Sequence, residues 1–381
     1  MTPRPFALHV PDDTLDDLRE RLRRVRWPDE APDAGWSHGT GLAYMKALVA
    51  YWRDRYDWRV HEARLNRWRQ FTVPIGGIDL HFVHEPGVGP APLPLLLSHG
   101  WPGSIVEFER IIPMLTDPAR FGGDPADAFT VVAPSLPGYA LSFRPGQPRF
   151  GVVEMADLLA ALMTEVLGYR RFAAQGGDWG AFITSYLGAA YPDRLAGIHV
   201  NLLAVRRDQT PPAAPTEEEK AYLAELAHWS REETGYLQIQ GTKPQTLAYG
   251  LTDSPVGLAA WIVEKFRTWS DCGGEVERRF SKDVLLTNVM LYWVTGAIGS
   301  SFWPYYARAH SSWPISERRP VTVPTAYASF PQEILHPPRS WAERVYNIRR
   351  WTAMPAGGHF AAHEEPEALA ADVRAFFRQL R

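Results

Sequence analysis

The chain has 381 residues, 45% of them hydrophobic and 22% charged, enough for one large core carrying an inserted subdomain. A net charge of −3 argues against a nucleic-acid partner or an anionic membrane surface. The single cysteine, Cys272, excludes an intramolecular disulfide and stands in no motif, so it reads as an inert thiol with nothing to indicate an oxidising compartment.

The first residues, Met1 to Asp13, lack an apolar signal core, and no run approaches a membrane span; a cytoplasmic enzyme is the expectation. Arginine outnumbers lysine, which reads as the coding bias of a GC-rich bacterium. Pro11-Asp12-Asp13-Thr14 opens a helix in which Leu15, Leu18, Leu22 and Val25 recur at helical spacing, with the intervening arginines on the solvated face. A second amphipathic stretch carries Leu42, Met45, Leu48, Val49 and Trp52. Residues 1–70 therefore read as a helical arm without catalytic motifs.

From Phe71 the period changes. Phe71 to Ile75, Gly76-Gly77 and Ile78 to Val83 predict a β-hairpin. Leu93 to Ser98 is an apolar run of the kind found in buried parallel strands. Ile105 to Leu115 reads as helix, Phe129 to Pro134 as strand, Val153 to Leu167 as helix, Arg171 to Gln175 as strand, Phe182 to Tyr191 as helix and Leu195 to Leu202 as strand. This alternation predicts an α/β fold with a mostly parallel sheet, its first part spanning 71–205. Pro211 to Pro215 is a Pro/Ala linker, and 206–320 reads as a mainly helical lid. Val321 to Ala328 and Tyr346 to Ala353 return to strand, and Pro366 to Leu380 forms a covering helix, so 321–381 is the second part of the core. No internal repeat is present.

Gly176-Gly177-Asp178-Trp179-Gly180-Ala181 lies between a strand and a helix, with small residues flanking a central acid. That is the context of a nucleophile elbow with Asp in place of the usual Ser. A serine attacking an sp³ carbon leaves an ether, which water does not readily remove. A carboxylate leaves an ester, which a histidine-activated water hydrolyses. Asp178 therefore points to epoxides or alkyl halides rather than esters. The plainer alternative is an Asp that caps the following helix.

Gly357-Gly358-His359-Phe360 follows the last strand, where the order nucleophile, acid, histidine puts the base. His363 reads as structural or surface. Glu333, in Ser329-Phe330-Pro331-Gln332-Glu333, is the candidate to hold the His359 imidazole. Glu364 and Asp372 are poorer candidates because both fall in the C-terminal helical region. His99-Gly100-Trp101-Pro102-Gly103 follows a strand. There the amide of Trp101, with that of Trp179, would form an oxyanion hole, and a cis peptide before Pro102 would set the turn. No HExxH spacing or cysteine cluster is present, and no metal or other cofactor is expected.

These motifs together resemble the microsomal-type epoxide hydrolases, which share the HGWPG loop, the GGDWG elbow and the GGHFAA histidine loop. Val131 to Gly138, Tyr236 to Pro244 and Asp253 to Trp269 resemble the same family, so the similarity covers nearly the whole chain, the N-terminal arm included. The resemblance implies an α/β-hydrolase fold with a helical lid and a wrapping arm. It also implies two lid tyrosines that bind the epoxide oxygen and, with Trp101 and Trp179, line the substrate site. The motif positions are Tyr236 and Tyr305. Tyr306 is the adjoining alternative, because the acidic residue the family usually carries two places on is Ala307 here. The implied reaction converts an epoxide and water to a vicinal diol, in detoxification or in a secondary-metabolite (antibiotic) pathway. The 15 Trp, 15 Tyr and 17 Phe suit an aromatic pocket for aryl or lipophilic ligands. Haloalkane dehalogenation and a catalytically silent ligand-binding relative are the competing readings, and homo-oligomerisation stays open.

Overall fold

The computed structural model describes residues 2–203 and 214–381. Pro211 to Ala213 of the expected linker, and the expected boundary between residues 205 and 206, lie outside the described residues.

The strands are β1 (Arg4–Pro5), β2 (Gln70–Ile75), β3 (Ile78–Glu85), β4 (Leu93–Ser98), β5 (Phe129–Pro134), β6 (Phe172–Gly176), β7 (Leu195–Val200), β8 (Val321–Ser329) and β9 (Tyr346–Ala353). They form one sheet in the order β1-β2-β3-β5-β4-β6-β7-β8-β9. The neighbours from β5 to β9 are parallel, whereas β1, β2 and β3 run antiparallel to their neighbours. Strands β6 and β7 are buried at every position, which fits their apolar sequences and helices on both sheet faces. Helix Val152–Ala161 packs on Asp178–Ala190, and the C-terminal helix Pro366–Phe377 packs on Ile111–Thr116. This is an α/β-hydrolase fold, and its parallel strands deliver the motif loops to one end of the sheet.

Four local expectations need correcting. The Ile105 to Leu115 helix is two pieces, a 3₁₀ turn Ile105–Phe108 and the helix Ile111–Thr116. Pro113 lacks an N–H and fits only the first turn of a helix, so the helix restarts two residues before it. The helix expected from Phe182 begins at Asp178 itself, its first turn disguised by glycine. The helix expected through Leu167 ends as α-helix at Ala161 and continues as a π turn, Leu162–Val166. The arm is not purely helical. It also supplies β1, which pairs with Thr72 and Phe71 at the sheet edge, and a third helix, Trp58–Leu65.

Between β7 and β8 lie helices Glu217–Glu232, Gly235–Thr242, Pro244–Asp253, Pro255–Thr268, Lys282–Thr295, Ile298–Ser301 and Trp303–His310. The arm is bolted to this region. Arg21 donates to the Asp253 carbonyl at 2.7 Å, Thr40 to the Ala260 carbonyl at 2.8 Å and the Tyr51 hydroxyl to Asp283 at 2.8 Å. Among the described residues no single helix is long and apolar enough to cross a membrane. The one helix pair that qualifies by composition is bent by 103°.

Candidate active site

Asp178 follows β6 at φ 47°, a left-handed conformation costly for a residue with a Cβ, by about 1–3 kcal/mol. The turn is crowded on one side by the backbone at the end of β4 and on the other by the approach of the Asp178 side chain to the Gly100 backbone. A Cβ on Gly180 would lie 1.9 Å from the Ser98 carbonyl oxygen, and one on Gly100 would lie 2.1 Å from Asp178 Oδ1. Glycine at both positions is therefore a steric requirement of the close approach.

The two carboxylate oxygens of Asp178 meet different groups. Oδ1 accepts the Trp101 N–H at 2.8 Å, and Oδ2 lies 3.4 Å from His359 Nε2. The carboxylate thus reaches across to another loop and forms no side-chain cap on its own helix. The Trp179 amide sits in the first helical turn, where amides have no intrahelical acceptor. The Trp101–Pro102 peptide is cis.

His359 and Glu333 are joined through Nδ1 and Oε1 at 2.5 Å, and both are buried. Glu333 Oε1 also accepts the Ile334 N–H at 2.7 Å. The acid and histidine loops are stitched together by the Gln332 N–H donating to the Gly357 carbonyl at 3.1 Å, and the His359 N–H donates to Trp269 O at 2.9 Å. Burial works against a charged His359, but the Glu333 and Asp178 carboxylates outweigh it and hold the imidazolium well above its usual range.

The other acids and histidines nearby are committed elsewhere. Glu364 accepts the Asp271 and Phe360 amides, and burial pushes its carboxyl up to about 7. Asp372 binds His199, Arg350 and Thr352. His363 is buried and stacks on Phe280 at 5.2 Å, and burial brings its imidazole down to about 4.

The lid brings Tyr236 and Tyr305 over this centre, with ring centroids 5.7 Å apart. Tyr236 stacks on Trp101 at 5.4 Å, and Tyr305 meets Trp179 edge-on at 4.7 Å. Burial, with Tyr236 and Asp178 adding, raises the Tyr305 phenol well above its usual range, so it keeps its proton. Tyr306 turns away, stacking on Trp303 and His310 at 4.9 and 4.1 Å.

Three residues of the site escaped the sequence reading. Trp269 packs edge-on to Tyr236 and His359. Tyr139 is buried beside His99 at 5.6 Å. Glu107 lines the same small cavity as Asp178 and His359, and its one signal is a lone acid in the apolar Ile105-Val106-Glu107-Phe108 turn. Among the described residues no cluster of three or more His, Cys, Asp or Glu is arranged to hold a metal.

Residues 3–108 match the family model described as "Epoxide hydrolase N terminus", and residues 94–235 match "alpha/beta hydrolase fold". The chain is 39% identical to Epoxide hydrolase 1 of Oryctolagus cuniculus, over 98% of this chain and 88% of that one. It is 38% identical to Juvenile hormone epoxide hydrolase 2 of Ctenocephalides felis, over 97% and 84%. The solved epoxide hydrolase of Aspergillus niger superposes with a TM-score of 0.88 at 31% identity, covering 100% of this chain and 97% of that one.

Proposed function

The chain belongs to the microsomal-type epoxide hydrolase family, and from that premise we propose that it converts lipophilic epoxides to vicinal diols through a hydroxyalkyl ester on Asp178. One observation carries the mechanism. The acid of the strained elbow has one oxygen on the Trp101 amide and the other facing His359, beneath two buried phenols.

Asp178 Oδ2 attacks an epoxide carbon, the C–O bond breaks, and Tyr236 or Tyr305 gives its proton to the leaving oxygen. The product of this step is an ester, a new hydroxyl and a phenolate. His359 then takes a proton from water as the water oxygen bonds to the ester carbonyl carbon. The Trp101 and Trp179 amides stabilise the oxyanion. Collapse breaks the ester C–O bond, and the diol leaves with the proton held by His359. The carboxyl proton that remains returns to the phenolate.

Esterification also switches His359. While Asp178 is a carboxylate it favours the imidazolium. Once esterified its charge is gone, the imidazolium gives up its proton to solvent, and the neutral imidazole is the base the second step requires; the ring takes a proton up again when the Asp178 carboxylate is regenerated. Glu333 holds the ring and stabilises the transient imidazolium.

The aromatic walls favour aryl and other lipophilic substrates, in the cytoplasm, for either detoxification or a biosynthetic ring opening. A panel of racemic aryl and alkyl epoxides scored for diol by chiral chromatography tests the substrate class. Turnover of small polar epoxides alone would contradict it. The rival halide chemistry is tested by styrene oxide and a matched 1-haloalkane run in parallel. Diol without halide is expected, and halide without diol would overturn the assignment.

A further inference from the structure

We infer that Glu107 seats the hydrolytic water, holding it between its own carboxyl oxygen and His359 Nε2 with a lone pair aimed at the carboxyl carbon of Asp178. The inference rests on the ester mechanism proposed above and names the group that positions its second substrate.

A small cavity behind the nucleophile is lined by Trp101, Glu107, Gln175, Asp178, Asn201 and His359, among others, with about 10 Å³ of free space, roughly what one water needs. The polar groups on its wall divide in two. Gln175 donates to Asn201 at 3.0 Å, so these amides serve each other. His359 Nε2 is 3.4 Å from Asp178 Oδ2, too long for a good hydrogen bond, and so keeps its capacity for a water. Glu107 forms no salt bridge among the described residues; the Ser104 amide donates to its carboxyl, which keeps further acceptor capacity for a water.

The break between the 3₁₀ turn Ile105–Phe108 and the helix that follows lets Glu107 fold back onto the loop that carries the Trp101 amide. A Cβ on Gly103 would stand 1.5 Å from Glu107 Oε1, which fixes the carboxyl against that loop and leaves no space for any larger residue at Gly103. Burial, with the Asp178 charge adding and the His359 charge opposing, pushes the Glu107 carboxyl up to about 8. Near neutral pH it therefore carries its proton and puts no second negative charge beside the nucleophile, while its carbonyl oxygen still accepts a water O–H. A water with one O–H on His359 and the other on Glu107 has its lone pair fixed before attack. Orientation of this kind lowers the barrier of the hydrolytic step alone. Glu107 loses and gains no proton in it.

The test separates the two half-reactions in the full-length enzyme with styrene oxide. Stopped-flow tryptophan fluorescence follows ester formation, and quenched intact-mass spectra follow its decay. In Glu107→Leu, alkylation should stay within about three-fold of wild type while ester hydrolysis slows roughly ten- to a hundred-fold, so the enzyme–substrate adduct accumulates. Glu107→Gln keeps a carbonyl acceptor and should recover most of the hydrolytic rate. If Glu107→Leu does not fold, Glu107→Ala is held to the same criteria. Equal slowing of both steps, or a wild-type hydrolytic rate in a folded Leu or Ala variant, overturns the assignment. If wild type and His359→Gln give no adduct with any epoxide, the ester mechanism fails, and this inference with it. If the adduct forms and the Glu107 variants clear it normally, the failure is of this inference alone.

Discussion

Asp178, Glu333 and His359 stand just beyond the ends of β6, β8 and β9, whereas Tyr236 and Tyr305 come from the lid helices Gly235–Thr242 and Trp303–His310. The first group is located by backbone: a positive-φ residue, an amide on Oδ1, and a bridge between Gln332 and Gly358. The second is located by aromatic packing, Tyr236 on Trp101 and Tyr305 on Trp179, with Lys265 Nζ 4.7 Å from the Tyr236 ring centroid. Hydrogen-bonded backbone fixes an atom closely, as nucleophile and base demand. Ring stacking leaves freedom to move, and the lid has to admit a substrate past these same rings.

If this division holds, substitutions on the sheet side and the lid side fail at different steps. The largest effect belongs to Asp178→Ala, which should lower diol formation by about 10⁴-fold or more in steady-state assays, because both steps pass through that carboxylate. Next, Tyr236→Phe and Tyr305→Phe should each slow alkylation of aryl epoxides roughly ten- to a thousand-fold in single-turnover fluorescence. Hydrolysis of an ester already formed should hardly change. A strong Tyr306→Phe effect with a silent Tyr305→Phe would move the lid donor by one residue. Glu333→Gln should act on the other half, slowing ester decay about ten- to a hundred-fold with alkylation nearly intact.

The smallest effect is a difference in pH dependence. Resting His359 is flanked by two carboxylates that raise its pKa, and the ester removes one of them. The proton must be off for His359 to act as base, so ester decay should rise with pH and level off. Its midpoint should lie below the pH at which the His359 ring titrates by NMR in the free enzyme. Coincident midpoints would show that the Asp178 charge does not control the base.

The same division decides how much was legible in the sequence. The strand-end loops announce themselves because close backbone approach forces glycine, as at Gly100 and Gly180, and the chain order of acid and histidine does the rest. Tyr236 and Tyr305 sit in helices with no spacing of their own, and only likeness to a family pointed to them. The choice of Tyr305 over Tyr306 depends on which side of one short helix faces Trp179, which no periodicity in eight residues resolves. Glu107 has only the weak signal of a lone acid in an apolar stretch, because its turn reads as part of one longer helix. The edge strand β1 is two residues long, too short to carry a pattern. The helix Trp58–Leu65 carries no legible apolar repeat because two of its four buried residues are His61, stacked on Tyr56, and Glu62, which accepts the Val10 N–H.

The central claim is a covalent intermediate on Asp178, and the most direct measurement is to stop the reaction there. His359→Gln should still be alkylated by styrene oxide but should not hydrolyse the ester. Quenched intact-mass spectra should then show one substrate mass added per chain, and peptide mapping should place it on Asp178. An unmodified chain that nevertheless produces diol at the wild-type rate would mean that water attacks the epoxide directly and that Asp178 is not the nucleophile.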